Sequence, residues 1–169
     1  MMNLAKSNLL AMAFICLFVS CSTEETDPLL EINYEIDLNL SLETDWQMAD
    51  EILVLINEYR TTQGLSNIEK DHQYASAYAV EHTKYMIDKE LINHDNFSER
   101  SGALINRGAI LVGENVAYGY ETAEDVVFAW INSPSHKDII EGSFTHSGFG
   151  VLKNAEGHYF FTLLLYKLE

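Results

Sequence analysis

The stretch Tyr159-Phe160-Phe161-Thr162-Leu163-Leu164-Leu165-Tyr166 constrains the fold more than any other part of the chain. Its near-continuous hydrophobicity reads as a strand covered on both faces. Its partner is the strand Gly148 to Lys153, reached through the turn Asn154-Ala155-Glu156-Gly157, where the glycine suits a positive φ. Covering both faces of one sheet takes a layer on each side. The helical segments upstream supply those layers, so the expected fold is α+β, a three-layer α-β-α sandwich around a central antiparallel sheet.

Those helices are legible from their spacing. Asp45 stands where an N-cap belongs, and Ile52, Leu55, Ile56 and Tyr59 follow at the intervals of one buried helical stripe, ended by Gly64. A second helix is predicted from about Lys70 to Lys89. Ala75, Tyr78, Ala79, His82 and Met86 share its inner face, and the two small alanines permit close approach by another element. A short helix over Ser98 to Arg107 stops at Gly108. Ala109 to Val112 then reads as a strand leading into Gly113-Glu114-Asn115-Val116-Ala117. Glu121 or Thr122 opens the next helix, with Glu124 and Asp125 in its first turn and Val126, Val127, Trp130 and Ile131 on its apolar face. Pro134 ends it, and Ser135 to Ile140 forms a further helical turn.

The first 21 residues read as an export signal rather than as part of the fold. Lys6 precedes an apolar run from Leu9 to Val19, shorter than the roughly 20 residues that span a bilayer. Ser20-Cys21 resembles a bacterial lipobox, which implies lipidation of Cys21 after cleavage and an outer-membrane or cell-surface lipoprotein, although Phe18 stands where Leu is usual; the alternatives are a plain signal peptide, which would give a secreted protein, and an uncleaved anchor. Residues 22–44 read as an acidic tether. Within them Ile32, Tyr34, Ile36, Leu38, Leu40 and Leu42 alternate with other residues, a pattern that fits either an edge strand or an extended linker. The folded domain is then 45–169. Cys16 and Cys21 are the only cysteines, so that domain has no disulfide, no cysteine nucleophile and no thiolate metal ligand. A formal net charge of -16 opposes binding to phosphate backbones and excludes nucleic acid as an expected partner.

Three blocks carry a family resemblance: Asn93-His94-Asp95-Asn96-Phe97, Gly113-Glu114-Asn115-Val116-Ala117, and Ala129 to Ile140 with its Trp130-Ile131-Asn132-Ser133-Pro134-Ser135-His136, followed by Gly148-Phe149-Gly150-Val151. In order and spacing they resemble the CAP superfamily (SCP/PR-1-like) in its short bacterial form. The resemblance implies an α-β-α sandwich. Many members gather two His and two Glu in a central cleft, which in several can hold a divalent metal such as zinc. Matched block by block, the first His falls on His94, the first Glu on Glu114 and the second His on His136. Ser133 stands where the second Glu is expected.

The implied cleft is thus His94, Glu114, Ser133 and His136. Imidazole and carboxylate suit zinc, and two His with one Glu would leave an open coordination position. The alternative is a metal-free network in which Glu114 accepts hydrogen bonds from both imidazoles. A Ser133–His136–Glu114 hydrolase set is a further reading, although no Gly-x-Ser-x-Gly elbow accompanies it. His82 reads as a satisfied core histidine, His72 as exposed, His146 and His158 as strand-end residues, and Trp130 as core. Arg100, beyond the His94 block, reads as one half of a structural ion pair; the alternative is an anion site. Arg107 flanks the same helix. The functional expectation is an exported, lipid-anchored cell-envelope module that binds a small molecule, peptide, glycan or lipid. The alternatives are a metal- or Ser-dependent hydrolase of peptide or envelope polymer, and a purely structural adhesin.

Overall fold

The structure, a computed structural model, describes residues 34–169. The export signal, Cys21 and the first part of the acidic segment lie outside the described residues.

Strand β4 (Tyr159–Leu168) lies inside a four-stranded sheet of order β1-β3-β4-β2. It pairs antiparallel with β3 (His146–Lys153) on one side and with β2 (Ala109–Tyr118) on the other. Its apolar run divides by alternation. Phe161, Leu163 and Leu165 enter one core, and Leu164 and Tyr166 enter another on the opposite face. The first core is closed by helices α1 (Trp46–Thr62) and α4 (Ala123–Asn132) through Ala49, Ile52, Ile56, Val126, Val127 and Trp130. The second is closed by α2 (Tyr74–Lys89) and α3 (Phe97–Asn106) through Ala75, Tyr78, Ala79, Ala103 and Leu104. The last helix, α5 (Pro134–Ile140), follows α4 after the break at Pro134.

Local chemistry fixes the helix ends. Asp45 accepts the Met48 amide and Thr122 the Asp125 amide, as side-chain N-caps do. The α2 helix starts four residues later than its pattern suggests. Glu69–Lys70 is spent on β1, a two-residue strand that pairs parallel with His146 and Ser147. The sheet is therefore antiparallel except at this edge. Asp71 then turns the chain, its carboxylate accepting from the amides of Gln73, Tyr74 and Ala75.

Two glycines set the distance between α2 and the sheet. A Cβ on Gly148 would strike the backbone of Ala75, and one on Gly150 the carbonyl of Ala79. Glycine on the strand and alanine on the helix thus meet with almost nothing between them. Thr83 closes the same seam, donating to Ala79 and lying 2.9 Å from the Gly150 carbonyl and 2.8 Å from the Thr162 hydroxyl.

Over residues 34–44 the stretch expected as tether or edge strand is neither. Residues 38–43 form a 3-10 helix capped by Asp37, and residues 34–44 belong to the same compact unit as the sandwich. The carbonyl of Tyr34 accepts from Tyr78 at 2.9 Å, its ring sits over Gly102, and Thr44 donates to the Phe149 carbonyl at 2.7 Å. Leu38 and Leu42 are exposed, so the period-two alternation there does not mark a buried face. The domain takes in residue 34 onward.

Candidate functional site

The three sequence blocks meet at β2, the edge strand. Neighbouring residues on a strand leave opposite faces of the sheet, and the triplet Gly113-Glu114-Asn115 uses that alternation. Gly113 makes room for Phe144 and Ile139, since a Cβ there would lie 2.8 Å and 3.2 Å from them. Asn115 faces the same way and donates to the His136 carbonyl at 3.0 Å, tying down α5. Glu114 faces the α2–α3 layer.

Glu114 is the hub of that face, with its side chain 2% exposed. His94 Nδ1 lies 2.8 Å from its Oε1. Arg100 grips it with two bonds, Nε to Oε2 and Nη2 to Oε1, each 2.8 Å. This fork is the strong, geometrically specific form of an Arg–carboxylate pair. Burial alone would push the Glu114 carboxyl up. The hydrogen bonds from His94 and Arg100, with the Arg100 charge, outweigh burial and hold it below the ordinary carboxylate range. The structural ion pair expected for Arg100 is therefore present.

The loop before α3 is held at Asn93, His94 and Asp95. Arg100 Nη1 donates to the Asp95 carbonyl at 2.7 Å, and Tyr85 donates to the Asp95 carboxylate at 2.9 Å. The buried His82 places Nε2 2.9 Å from the Asn93 carbonyl and 4.0 Å from Glu114. A carbonyl only accepts, so His82 carries its proton on Nε2. By the same reasoning His94 donates from Nδ1 to the ionised Glu114, which turns its Nε2 outward. The His94 side chain is 52% exposed. Burial, and secondarily the Arg100 charge, lowers the His82 pKa. Burial followed by the charge of His94 lowers that of His136.

His94 and Glu114 thus come together as expected, and His136 approaches from α5. The expected bond from His136 to Glu114 is absent among the described residues, because Arg100 occupies the carboxylate instead. Ser133 closes α4 and starts α5 through its backbone, and its hydroxyl makes no hydrogen bond to His136 among the described residues. The hydrogen bonds of a Ser–His–acid set are therefore not formed among the described residues. Glu114 itself is not free to ligate a zinc ion, whereas the outward Nε2 of His94 is unengaged among the described residues. Glu114 has both oxygens engaged beside a guanidinium, and the His94 and His82 nitrogens nearest to it carry protons. No cluster of three His, Cys, Asp or Glu side chains with metal-holding geometry occurs among the described residues. Two buried polar atoms flank this region without partners, Asn93 Nδ2 and Asn115 Oδ1.

Beside Arg100 a concavity of about 280 Å³ is lined by Tyr78, Glu81, His82, Tyr85, Asn96, Glu99 and Arg100. A larger hollow on α1, about 500 Å³ and lined by Asp50, Val54 and Asn57 among others, lies away from these groups. His82 and Trp130 are core residues as read, with Trp130 donating to the Val116 carbonyl. His72 and His158 are exposed and His146 is partly buried. Arg107 lies over the Tyr74 ring at 4.0 Å.

One buried cation escaped the sequence reading. Arg60, 2% exposed, donates to the carbonyls of Ser66, Ile140, Gly142 and Phe144. Its signal was available, since it continues the Ile52–Ile56 stripe by one further turn.

The comparisons agree with this architecture. The Bacillus subtilis protein YkwD is 31% identical over 108 residues, covering 61% of this chain and 42% of its own length. The Bacillus subtilis membrane protein YlbC is 33% identical over 108 residues, covering 60% of this chain and 30% of its own. The chain therefore matches less than half the length of either relative. Among solved structures, an outer surface protein from Borrelia burgdorferi matches with a TM-score of 0.64 and 26% identity, over 73% of this chain and 94% of that one. An extracellular SCP-domain protein from Bacillus anthracis matches with a TM-score of 0.60 and 25% identity, over 73% and 44%. The family model described as the cysteine-rich secretory protein family, CAP, matches residues 53–166. That span is most of the sandwich, with all three blocks and the Glu114 hub inside it, and the chain belongs to the CAP family.

Proposed function

We propose that this protein is an exported binding module of the cell envelope, tethered through lipidated Cys21. Its cleft at the edge of β2 engages a segment of a partner chain or envelope polymer. The observation that carries this reading is the saturation of Glu114. With both oxygens held by Arg100 and His94, it serves as a scaffold for the cleft rather than as a free acid or base. What the cleft offers is the outward Nε2 of His94, half exposed, with His136 beside it. A half-exposed imidazole suits an extended ligand laid along the edge better than a small molecule enclosed on all sides. The export half draws support from the signal-like leader and from the surface and extracellular relatives.

The test is a titration of the folded domain with peptidoglycan fragments and with peptide pools, followed by NMR. Shifts centred on His94 and His136, abolished by His94→Ala, are expected. Binding that His94→Ala and His136→Ala both leave intact would move the site elsewhere. Turnover of any of these substrates that is sensitive to Ser133→Ala would replace the binding reading with a hydrolase.

A further inference from the structure

We infer that a recess at the carboxy-terminal end of β2 seats a bulky apolar side chain of a basic polypeptide segment, so that the partner of this protein is cationic and carries an apolar anchor. The recess measures about 460 Å³, within the roughly 300–1,000 Å³ typical of ligand sites. Its apolar lining is Leu91, Ile92, Tyr118 and Phe160. Three of these are open to solvent, Leu91 at 59%, Ile92 at 48% and Tyr118 at 43% exposed. Large apolar groups gathered in one concavity mark an interaction site, whereas scattered ones need no explanation. The aromatic wall is held in place. The Tyr118 and Phe160 ring centroids are 4.5 Å apart, and the Tyr118 hydroxyl lies 3.1 Å from His158 Nδ1.

The charge around the recess selects the partner. The charged residues lining it, Glu90 and Glu156, are both acidic. Neither forms a salt bridge among the described residues. Glu90 also caps the carboxy-terminal end of α2, where the helix dipole adds negative potential. The neighbouring cation, Lys89, is turned to the Tyr85 ring, 5.7 Å away. These carboxylates and a chain charge of -16 repel a fatty acid, an anionic lipid and a second copy of this chain alike. A Lys or Arg beside an apolar anchor satisfies them. A glycan has no bulky apolar group to cover Leu91 and Ile92. The inference rests on the reading of the cleft as a site for a partner segment, and it names that partner's chemistry. Leu91-Ile92 runs directly into Asn93-His94, and Tyr118 follows Glu114 by four residues on the same face of β2. That spacing is about 13 Å of strand, so one short extended segment reaches both His94 and the recess.

The experiment titrates the folded chain by NMR with three capped pentapeptides, Ala-Lys-Phe-Lys-Ala, Ala-Glu-Phe-Glu-Ala and Ala-Lys-Ala-Lys-Ala. The Lys-Phe-Lys peptide is expected to shift the amides of Leu91, Ile92 and Tyr118 and to bind at least about tenfold more tightly than either control. Its affinity should fall as salt is added. Leu91→Ser combined with Ile92→Ser, at exposed positions, should weaken it by a similar factor. Glu156→Lys should narrow its advantage over the Glu-Phe-Glu peptide. Equal affinity for the Lys and Glu peptides, or no saturable shift in the recess, overturns the inference. So does tighter binding of laurate than of the peptide, which makes the occupant an acyl chain. Shifts at the same amides on concentrating the free protein would make it a second copy, and also overturn the inference. Peptide shifts at His94 and His136 without shifts in the recess defeat this inference and leave the cleft reading standing. Recess shifts that never reach His94 or His136 support the recess and defeat the cleft reading.

Discussion

Among single residues, Arg100 and Glu114 have the largest energetic consequence, because each is buried and each neutralises the other. Glu114→Gln strands a guanidinium and should cost about 3–5 kcal/mol in urea unfolding. Arg100→Met together with Glu114→Leu should cost clearly less than the two single changes added, since it removes both charges at once. The acid limb of stability follows from the same neighbourhood. His82 and His136 titrate below the ordinary 6.5 and Glu114 below 4.5, so the unfolded chain binds protons at pH values where the folded one does not. Stability is then fully present above about pH 6.5, declines as pH falls through the histidine range, and falls again below the ordinary carboxylate value. Melting temperature should be nearly level from about pH 7.5 to about pH 6.5 and fall from there down to about pH 4. A flat profile would mean these groups gain no protons on unfolding. His94 and Glu114 were legible in the sequence through their blocks. The substitution of Arg100 for His136 as the second partner of Glu114 was not, because the choice between two cations is made by distances across three separate elements.

At the level of elements, the sequence shows most where a pattern is long and buried. Strand β4 declared its central place because both of its faces are apolar, and α1 and α4 declared their caps through Asp45 and Thr122. Two elements stayed hidden for physical reasons. Strand β1 is too short for any period to register, and its two residues look like the start of α2. The 3-10 helix over Leu38–Glu43 carries a strand-like alternation, yet it packs through backbone and side-chain hydrogen bonds rather than through an apolar face. The α2–β3 seam was half visible, as alanines without their matching glycines. Gly150→Ala forces a methyl group onto the Ala79 carbonyl, with helix backbone behind it, and should cost about 3 kcal/mol by chemical denaturation. Ala79→Gly, which opens space instead, should not restore that loss, because the obstacle is the carbonyl rather than the Ala79 methyl.

Considered whole, the described domain is three layers joined by polar stitches in place of covalent ones. Tyr34 and Thr44 fasten the amino-terminal strap to α2 and β3, Asn115 fastens α5 to β2, and Arg60 fastens α1 to the turn between α5 and β3. A chain beginning at residue 45 should therefore be less stable than one beginning at residue 34. The expected difference is about 2–4 kcal/mol, the scale of several lost hydrogen bonds, read as a shift in the urea midpoint. Equal midpoints would return residues 34–44 to the status of a linker. The Arg60 nest has a consequence of another kind. Its guanidinium secures a join without a covalent link, whereas a disulfide must be made by an oxidant and can be made wrongly. Donor-to-carbonyl bonds have no mispaired covalent product and no dependence on redox potential. Once opened, the join can re-form on dilution from denaturant alone, in a reducing or an oxidising medium, and as often as it is broken.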